Sequence, residues 1–348
     1  MDYKKLNAII YAVLAALFYA INIPCSKVLL NNVSPTFMAA FLYLGAGFGV
    51  GIMYIFHTKK ESREERLGKL DIPYTLAMVV LDIIAPILLM IGVKLGTAAN
   101  ASLLGNFEIV ATTLIAYGLF RERVSARMWG SISLITVASI VLSISGEGSF
   151  SFSLGSIFVI GATVCWGLEN NCTRKISGKS TYEIVTIKGI GSGTGSFIVA
   201  MVLGESIPGF SYIALIMMLG FVAYGLSIFT YIRAQKTLGA AKTSAYYAIA
   251  PFIGVALSSV FLKERFTLMF IIALIIMIAG TVLIVRDTLI HSHKHAHTHL
   301  IIHTHDGTTH THTIVHSHDH VHVINEGKHG HTHSVEELEN DLGHGGTS

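Results

Sequence analysis

Ten apolar stretches, each about as long as a bilayer-crossing helix, constrain this chain more than any other feature. Such a helix needs ~20 predominantly apolar residues. The stretches run approximately over 7–30, 36–56, 73–93, 97–119, 127–145, 154–174, 184–204, 211–232, 240–262 and 267–285. Turn residues or charges punctuate them: Asn31-Asn32, Ser34-Pro35, the run from Lys59 to Asp71, Gly146–Gly148, Gly178 and Pro208-Gly209. The third and fourth stretches are joined tightly through Leu95-Gly96, and the eighth and ninth through Leu238-Gly239. Only 13% of the residues are charged, against about 25% in soluble domains, so a soluble enzyme is a poor fit. Met1–Asn7 leads directly into an apolar stretch too long for a signal peptide, so no cleavable signal is expected.

Residues 1–285 hold 21 Lys+Arg against 13 Asp+Glu, a net of +8. With the N-terminus inside and ten crossings, 17 basic residues fall on the inside, from Lys4 and Lys5 to Arg286. Only Lys27, Lys94, Lys263 and Arg265 fall outside. That asymmetry is the positive-inside pattern and predicts that both termini are cytoplasmic. It also accounts for the basic excess without nucleic acid. Lys188 lies within the seventh stretch, where snorkelling to the cytoplasmic surface is favoured over an ion pair.

An internal repeat follows. At an offset of about 142, Leu95-Gly96-Thr97-Ala98-Ala99 through Phe120-Arg121-Glu122-Arg123 matches Leu238-Gly239-Ala240-Ala241-Lys242 through Leu262-Lys263-Glu264-Arg265. At an offset of 147, Tyr19, Cys25 and Lys27 match Trp166, Cys172 and Arg174. Five spans per half is an odd number, so the second half enters the membrane in the opposite sense. Inverted repeats of this kind characterise secondary transporters. The expected fold is an all-α integral membrane protein of ten transmembrane helices in two inverted five-helix repeats, 1–145 and 146–288. A largely disordered His-rich cytoplasmic tail, 289–348, follows.

On these motifs, residues 7–285 resemble the EamA-type drug/metabolite transporter superfamily. The resemblance implies export of amino acids, nucleobases or other small metabolites, or sugar-phosphate antiport. Members often carry a proline midway along the fourth span of each half. Pro251 matches in the second half, whereas Ile109 takes that place in the first, which predicts a less broken span there.

Ionisable groups at mid-span cost ~2.5–3.5 kcal/mol on insertion scales and mark pathways. Glu108 qualifies, and Asn100, Glu108 and Thr112 are spaced by multiples of four along one helix face. Asp82 is mid-span, with Pro86 four residues on, able to free a backbone carbonyl. Glu169 is followed by Asn170 and Asn171, and its repeat mate is Asn22. Each carboxylate reads as a proton or cation relay, as a pole for an amine-bearing substrate, or as a tolerated hydrogen-bonded group. Tyr224, the repeat mate of Asp82, shares a face with Ser227 and Tyr231, and Tyr246 and Tyr247 precede Pro251. These rings could stack on substrate or pair with a cation; packing is at least as good a reading, and it also covers Tyr19 and Trp166. Cys25, Cys165 and Cys172 form no CxxC pair and read as small apolar side chains. Gly189 to Gly195 lacks the lysine of a phosphate-binding loop and reads as close helix packing.

Seventeen of the 18 histidines lie between His291 and His344. Neutral imidazole suits zinc, copper and nickel, and the candidate ligands are His291, His293, His295, His297, His299, His303, His305, His310, His312, His316, His318, His320 and His322. Many weak exchangeable sites fit this spacing better than one tetrahedral site. Asp306-Gly307, between the alternating Leu300–His305 and Thr308–Val315, is a hairpin signal that runs against full disorder and leaves room for a metal-pinned hairpin. Ser334–Asp341 is an acidic helix candidate with a capping Ser and Glu337.

Two functions compete. In one, the body moves an organic metabolite by alternating access, with no required cofactor. In the other, it moves a divalent metal such as zinc, nickel or cobalt, and the tail collects it. The spans contain no histidine, with His57 at a membrane edge, and only scattered cysteines and carboxylates, which favours the metabolite. No paired nucleophile and base supports a membrane enzyme. The expected partners are a small-molecule substrate and membrane lipid.

Overall fold

The computed structural model of the chain describes residues 3–57, 66–121, 124–144, 153–176, 178–238, 243, 246–305 and 308–323. The chain divides into two compact units, Met1–Val285 and Arg286–Ser348. The acidic-helix expectation at 334–341 and the Asp306-Gly307 turn lie outside the described residues.

The first unit is helical. In chain order its helices are α1 (Tyr3–Ala20), α2 (Asn22–Leu29), α3 (Pro35–His57), α4 (Ile72–Leu95), α5 (Ala98–Leu104), α6 (Phe107–Phe120) and α7 (Ala126–Ser143). There follow α8 (Leu154–Ile176), α9 (Thr181–Val202), α10 (Phe210–Gly220), a π-helical turn (Phe221–Leu226), α11 (Ser227–Leu238), α12 (Ala250–Leu262) and α13 (Leu268–Leu289). Among the described residues, eight helical segments are long and apolar enough to cross a membrane. They expose large apolar side chains such as Phe56, Val202 and Met218, as contact with lipid allows.

Small residues set the helix packing. A Cβ on Gly189 would lie 2.4 Å from Cα of Gly47, and one on Gly47 would lie 2.5 Å from the backbone nitrogen of Ile190. Helices α3 and α9 therefore meet backbone to backbone. Gly193 faces Leu44 and Ala40 of α3, while Gly191 and Gly195 face Val79 and Ile83 of α4. The glycine run is the packing strip expected of it. Besides α3 against α9, the main contacts are α4 with α8, α1 with α11 and α6 with α8, and α5 also packs on α12. Hydroxyl bonds to backbone carbonyls tie distant helices: Ser227 to Ala15 at 2.9 Å, Ser131 to Gly280 at 2.5 Å and Ser192 to Val79 at 3.1 Å.

Two long apolar stretches are interrupted at repeat-matched places. Between α5 and α6 the chain turns at Gly105-Asn106, and before α12 it turns at Ala248-Ile249. The first break corrects the expectation of a less broken span there. Gly105 and Asn106 are poor helix formers and do the work of the missing proline. The turn closes with shorter-range bonds, Glu108 N–H to Gly105 O and Ile109 N–H to Asn106 O, both 3.1 Å. The helices after the breaks also end alike. Arg121 and Lys263, 142 residues apart, cap α6 and α12 with φ of 53° and 54°, the only positive-φ non-glycine residues among those described.

The tail is expected from its sequence to be largely disordered, and beyond residue 323 it lies outside the described residues. Within the described part, β1 (Ile290–His305) pairs antiparallel with β2 (Thr308–Val323). The pairing runs from Ile290 opposite Val323 to His305 opposite Thr308, so it extends well beyond the Leu300–Val315 segment marked by the Asp-Gly signal.

Candidate functional site

Asp82 is completely buried on α4, one helical turn before Pro86. Pro86 lies inside the helix and has no N–H to give the carbonyl of Asp82, so the backbone here is locally freed. One oxygen, Oδ1, accepts from the Tyr43 hydroxyl and from Nε1 of Trp166, both at 3.1 Å. The other, Oδ2, lies 3.0 Å from Nζ of Lys188.

Lys188 of α9 also lies 3.0 Å from Oε1 of Glu169 on α8. Its ammonium therefore bridges two carboxylates from two other helices. This corrects the snorkelling expectation: two buried acids hold the lysine, although its stem is long enough to reach the surface. An isolated buried carboxylate is expensive, and a shared cation with extra donors offsets that cost. Thr173 donates a short hydrogen bond to the same Glu169 oxygen.

Glu108 stands next to this triad through Asn170. The Asn170 amide donates to Oε1 of Glu108 at 2.7 Å and to the Thr112 hydroxyl at 3.3 Å. Asn171 donates to the carbonyls of Thr112 at 3.1 Å and Gly167 at 2.8 Å. Consecutive residues of α8 thus serve a cation and an acid, Glu169 pairing with Lys188 and Asn170 donating to Glu108. Asn106, at the break just before Glu108, is buried, and its amide nitrogen has no hydrogen-bond partner among the described residues.

An aromatic wall extends the cluster. The Tyr43 ring packs on Tyr224 at 5.2 Å, and Tyr224 meets Tyr19 edge-on at 6.0 Å. Tyr247 packs on Tyr19 at 5.9 Å and on Tyr231 at 5.3 Å. Asn22, fully buried, donates to the Tyr224 hydroxyl at 3.0 Å and accepts from Ser26 at 3.2 Å. Tyr224 belongs to the π-helical turn, a local irregularity found often at functional sites.

The candidates divide accordingly. Asp82, Glu169, Glu108 and Asn170 come together, and Asn22, Tyr224 and Tyr247 join them through the aromatic wall. Asn100 does not, because the break at 105–106 interrupts the helix face that was to unite it with Glu108. Its amide instead donates to Leu142 O at 3.2 Å and to the Ser156 hydroxyl at 3.0 Å. Tyr246 is exposed and stands apart from its neighbour Tyr247. The sequence reading missed Tyr43 and took Trp166 for packing. A mid-span tyrosine and an indole N–H are both buried donors that need an acceptor, and a buried aspartate was the available one. A lateral cleft of about 340 Å³, lined by Phe107, Thr136, Ser139, Ile140, Ser143, Ile157 and Ile160, does not include the charged cluster.

At the opposite end of α4, a second polar device closes the tight connection to α5. Lys27 Nζ donates to the carbonyls of Val93 at 2.8 Å, Lys94 at 3.1 Å and Gly96 at 2.5 Å. The Glu264 carboxylate accepts from the N–H groups of Ala98 and Ala99, both at 2.8 Å. A cation on a helix C-terminus and an anion on the next N-terminus both suit the helix dipoles. Glu264 thus caps a helix of the other half.

The EamA-like transporter family matches the chain twice, over residues 6–144 and 153–286. An uncharacterized transporter of Methanothermobacter thermautotrophicus is 27% identical over 303 residues, covering 80% of this chain and 85% of that protein. A crystal structure at 17% identity shares the fold with a TM-score of 0.58, covering 79% of this chain and 94% of its own. The buried charges, the apolar spans and the twofold family match agree: the chain is an integral membrane protein and belongs to the EamA-like transporter family.

Proposed function

We propose that the helical body moves a small amine-bearing organic metabolite across the membrane by alternating access, with Asp82, Glu169 and Lys188 at the transport site. The observation that carries this reading is the Lys188 ammonium held 3.0 Å from both carboxylates. Lys188 acts there as a tethered stand-in for a substrate ammonium. An incoming amine takes its place on Asp82 and Glu169, and when the amine leaves, Lys188 returns and keeps the empty carrier from exposing a bare buried charge. The rings of Tyr43, Tyr224 and Trp166 suit an organic cation more than a hydrated metal. Glu108, tied to the same helix through Asn170, is the candidate proton carrier for coupling to a gradient.

Ten crossings with both termini cytoplasmic, arranged as two inverted halves, fit this mechanism. The helix contacts support it: α1 with α11 and α8 with α4 are the same kind of pair with the halves exchanged. The breaks at 105–106 and 248–249 likewise have the form of discontinuous helices at a midplane site.

The test is uptake into proteoliposomes of a panel of amines, zwitterions, organic anions and divalent metals, with and without a proton gradient. The reading predicts uptake of amine-bearing compounds and its loss in Asp82→Asn. Uptake confined to divalent metals would establish the competing metal reading, for which the His-rich tail is the supporting feature. Amine uptake undiminished by Asp82→Asn would remove the cluster from the pathway.

A further inference from the structure

The hairpin register has a consequence that composition alone does not give. Residues directly opposite each other in an antiparallel ladder share a face, and faces alternate along each strand. Five cross-strand partners are histidine on histidine: His291 with His322, His293 with His320, His295 with His318, His297 with His316, and His303 with His310. His299 lies opposite Ile314, Ile301 opposite His312, and His305 opposite Thr308. All of these positions are odd in β1 and even in β2. The thirteen histidines of the two strands therefore fall on one face of the ladder. The other face carries Ser, Thr, Val, Leu, Ile and Ala, with Lys294 opposite Asp319.

A slip of one residue would move one strand's histidines to the opposite face. We infer that this face is a divalent transition-metal array whose unit is a cross-strand histidine pair, with zinc, nickel and copper as the fitting ions.

Three physical points support it. Cβ atoms of directly opposite residues are ~4.5–5.5 Å apart, a separation two imidazoles can span to share one ion at ~2.0–2.1 Å Zn–N distances. Successive same-face pairs follow at ~7 Å along the strand, so neighbouring pairs can jointly supply four nitrogens. An isolated two-stranded hairpin is marginal in water, so ions bound across the ladder stabilise the paired form, since they bind the folded hairpin in preference to the open chain.

The experiment separates pairing from mere histidine content. Two full-length variants each lose six histidines to glutamine. The first loses all six of β2: His310, His312, His316, His318, His320 and His322. The second loses three whole pairs: His291 with His322, His293 with His320, and His303 with His310. Both keep seven histidines in the strands, but only the second keeps opposed pairs. Zn²⁺ binding to the purified proteins is measured by equilibrium dialysis and elemental analysis, with thermal unfolding of the membrane body as a folding control. The proposal predicts that the first variant binds zinc at least about tenfold more weakly than the second, because its ligands lose their intramolecular partners. Equal stoichiometry and affinity in the two variants would overturn it, as would the absence of zinc binding to the wild-type chain. Neither measurement depends on what the body transports.

Discussion

The proposed transport site turns on one lysine. Lys188 sits between Asp82 and Glu169 at 3.0 Å from each, and it is the sole cation in contact with either acid among the described residues. Removing one partner of such a buried ion network leaves charge unpaired, which costs about 3–5 kcal/mol. Lys188→Met should therefore lower stability by that order in micelle unfolding experiments. Replacing all three, as Lys188→Met with Asp82→Asn and Glu169→Gln, should recover much of the loss, because no unpaired charge of the triad then remains. A triple variant no more stable than the single one would show that the lysine acts through something other than charge balance. Glu108 calls for a different readout. Glu108→Gln keeps an acceptor oxygen for the Asn170 amide but cannot carry a proton, so the fold should persist while gradient-driven uptake is lost. Wild-type accumulation by that variant would remove Glu108 from coupling.

At the level of elements, sequence and structure agree where local rules act and part where partners from distant helices act. Apolar length located the helices, because crossing lipid demands it. The run Gly189 to Gly195 read correctly as packing, since glycine clusters in apolar helices serve close approach. Asp306-Gly307 between alternating segments pointed to pairing over Leu300–Val315 but not to its extension over Ile290–His299 and His316–Val323. The break at Gly105-Asn106 is harder to read, because glycine and asparagine weaken a helix without the obligatory break that a proline at Ile109 would impose. The Lys188 ion pair was invisible for another reason: its partners lie 106 and 19 residues away on α4 and α8, and no periodicity links them. Tyr43 escaped on the same ground.

Two element-scale expectations follow. Gly189→Val places side-chain atoms where Gly47 already lies at 2.4 Å, so α3 and α9 should separate at about 1–3 kcal/mol of lost stability, read by unfolding in micelles. Glu264→Ala strips the N-terminus of α5 of the two bonds from Ala98 and Ala99. A loss of about 1–2 kcal/mol is expected from a charged cap of this kind, with Glu264→Asp recovering part of it. No change in the alanine variant would mean that solvent replaces the cap.

For the whole molecule, the account is of two similar halves enclosing a charged site. The matched breaks at 105–106 and 248–249, the matched positive-φ caps at Arg121 and Lys263, and two family matches over 6–144 and 153–286 all describe a duplicated body. Alternating access requires that its central cluster open to each side of the membrane in turn. The most direct measurement is two-sided labelling of Thr112→Cys, beside Asn170 and Glu108, in a chain with Cys25, Cys165 and Cys172 replaced by alanine. A membrane-impermeant thiol reagent is applied separately to each face of oriented vesicles. The account predicts labelling from both sides and protection from both by a transported amine. Labelling from one side only, unaffected by any transported compound, would contradict it.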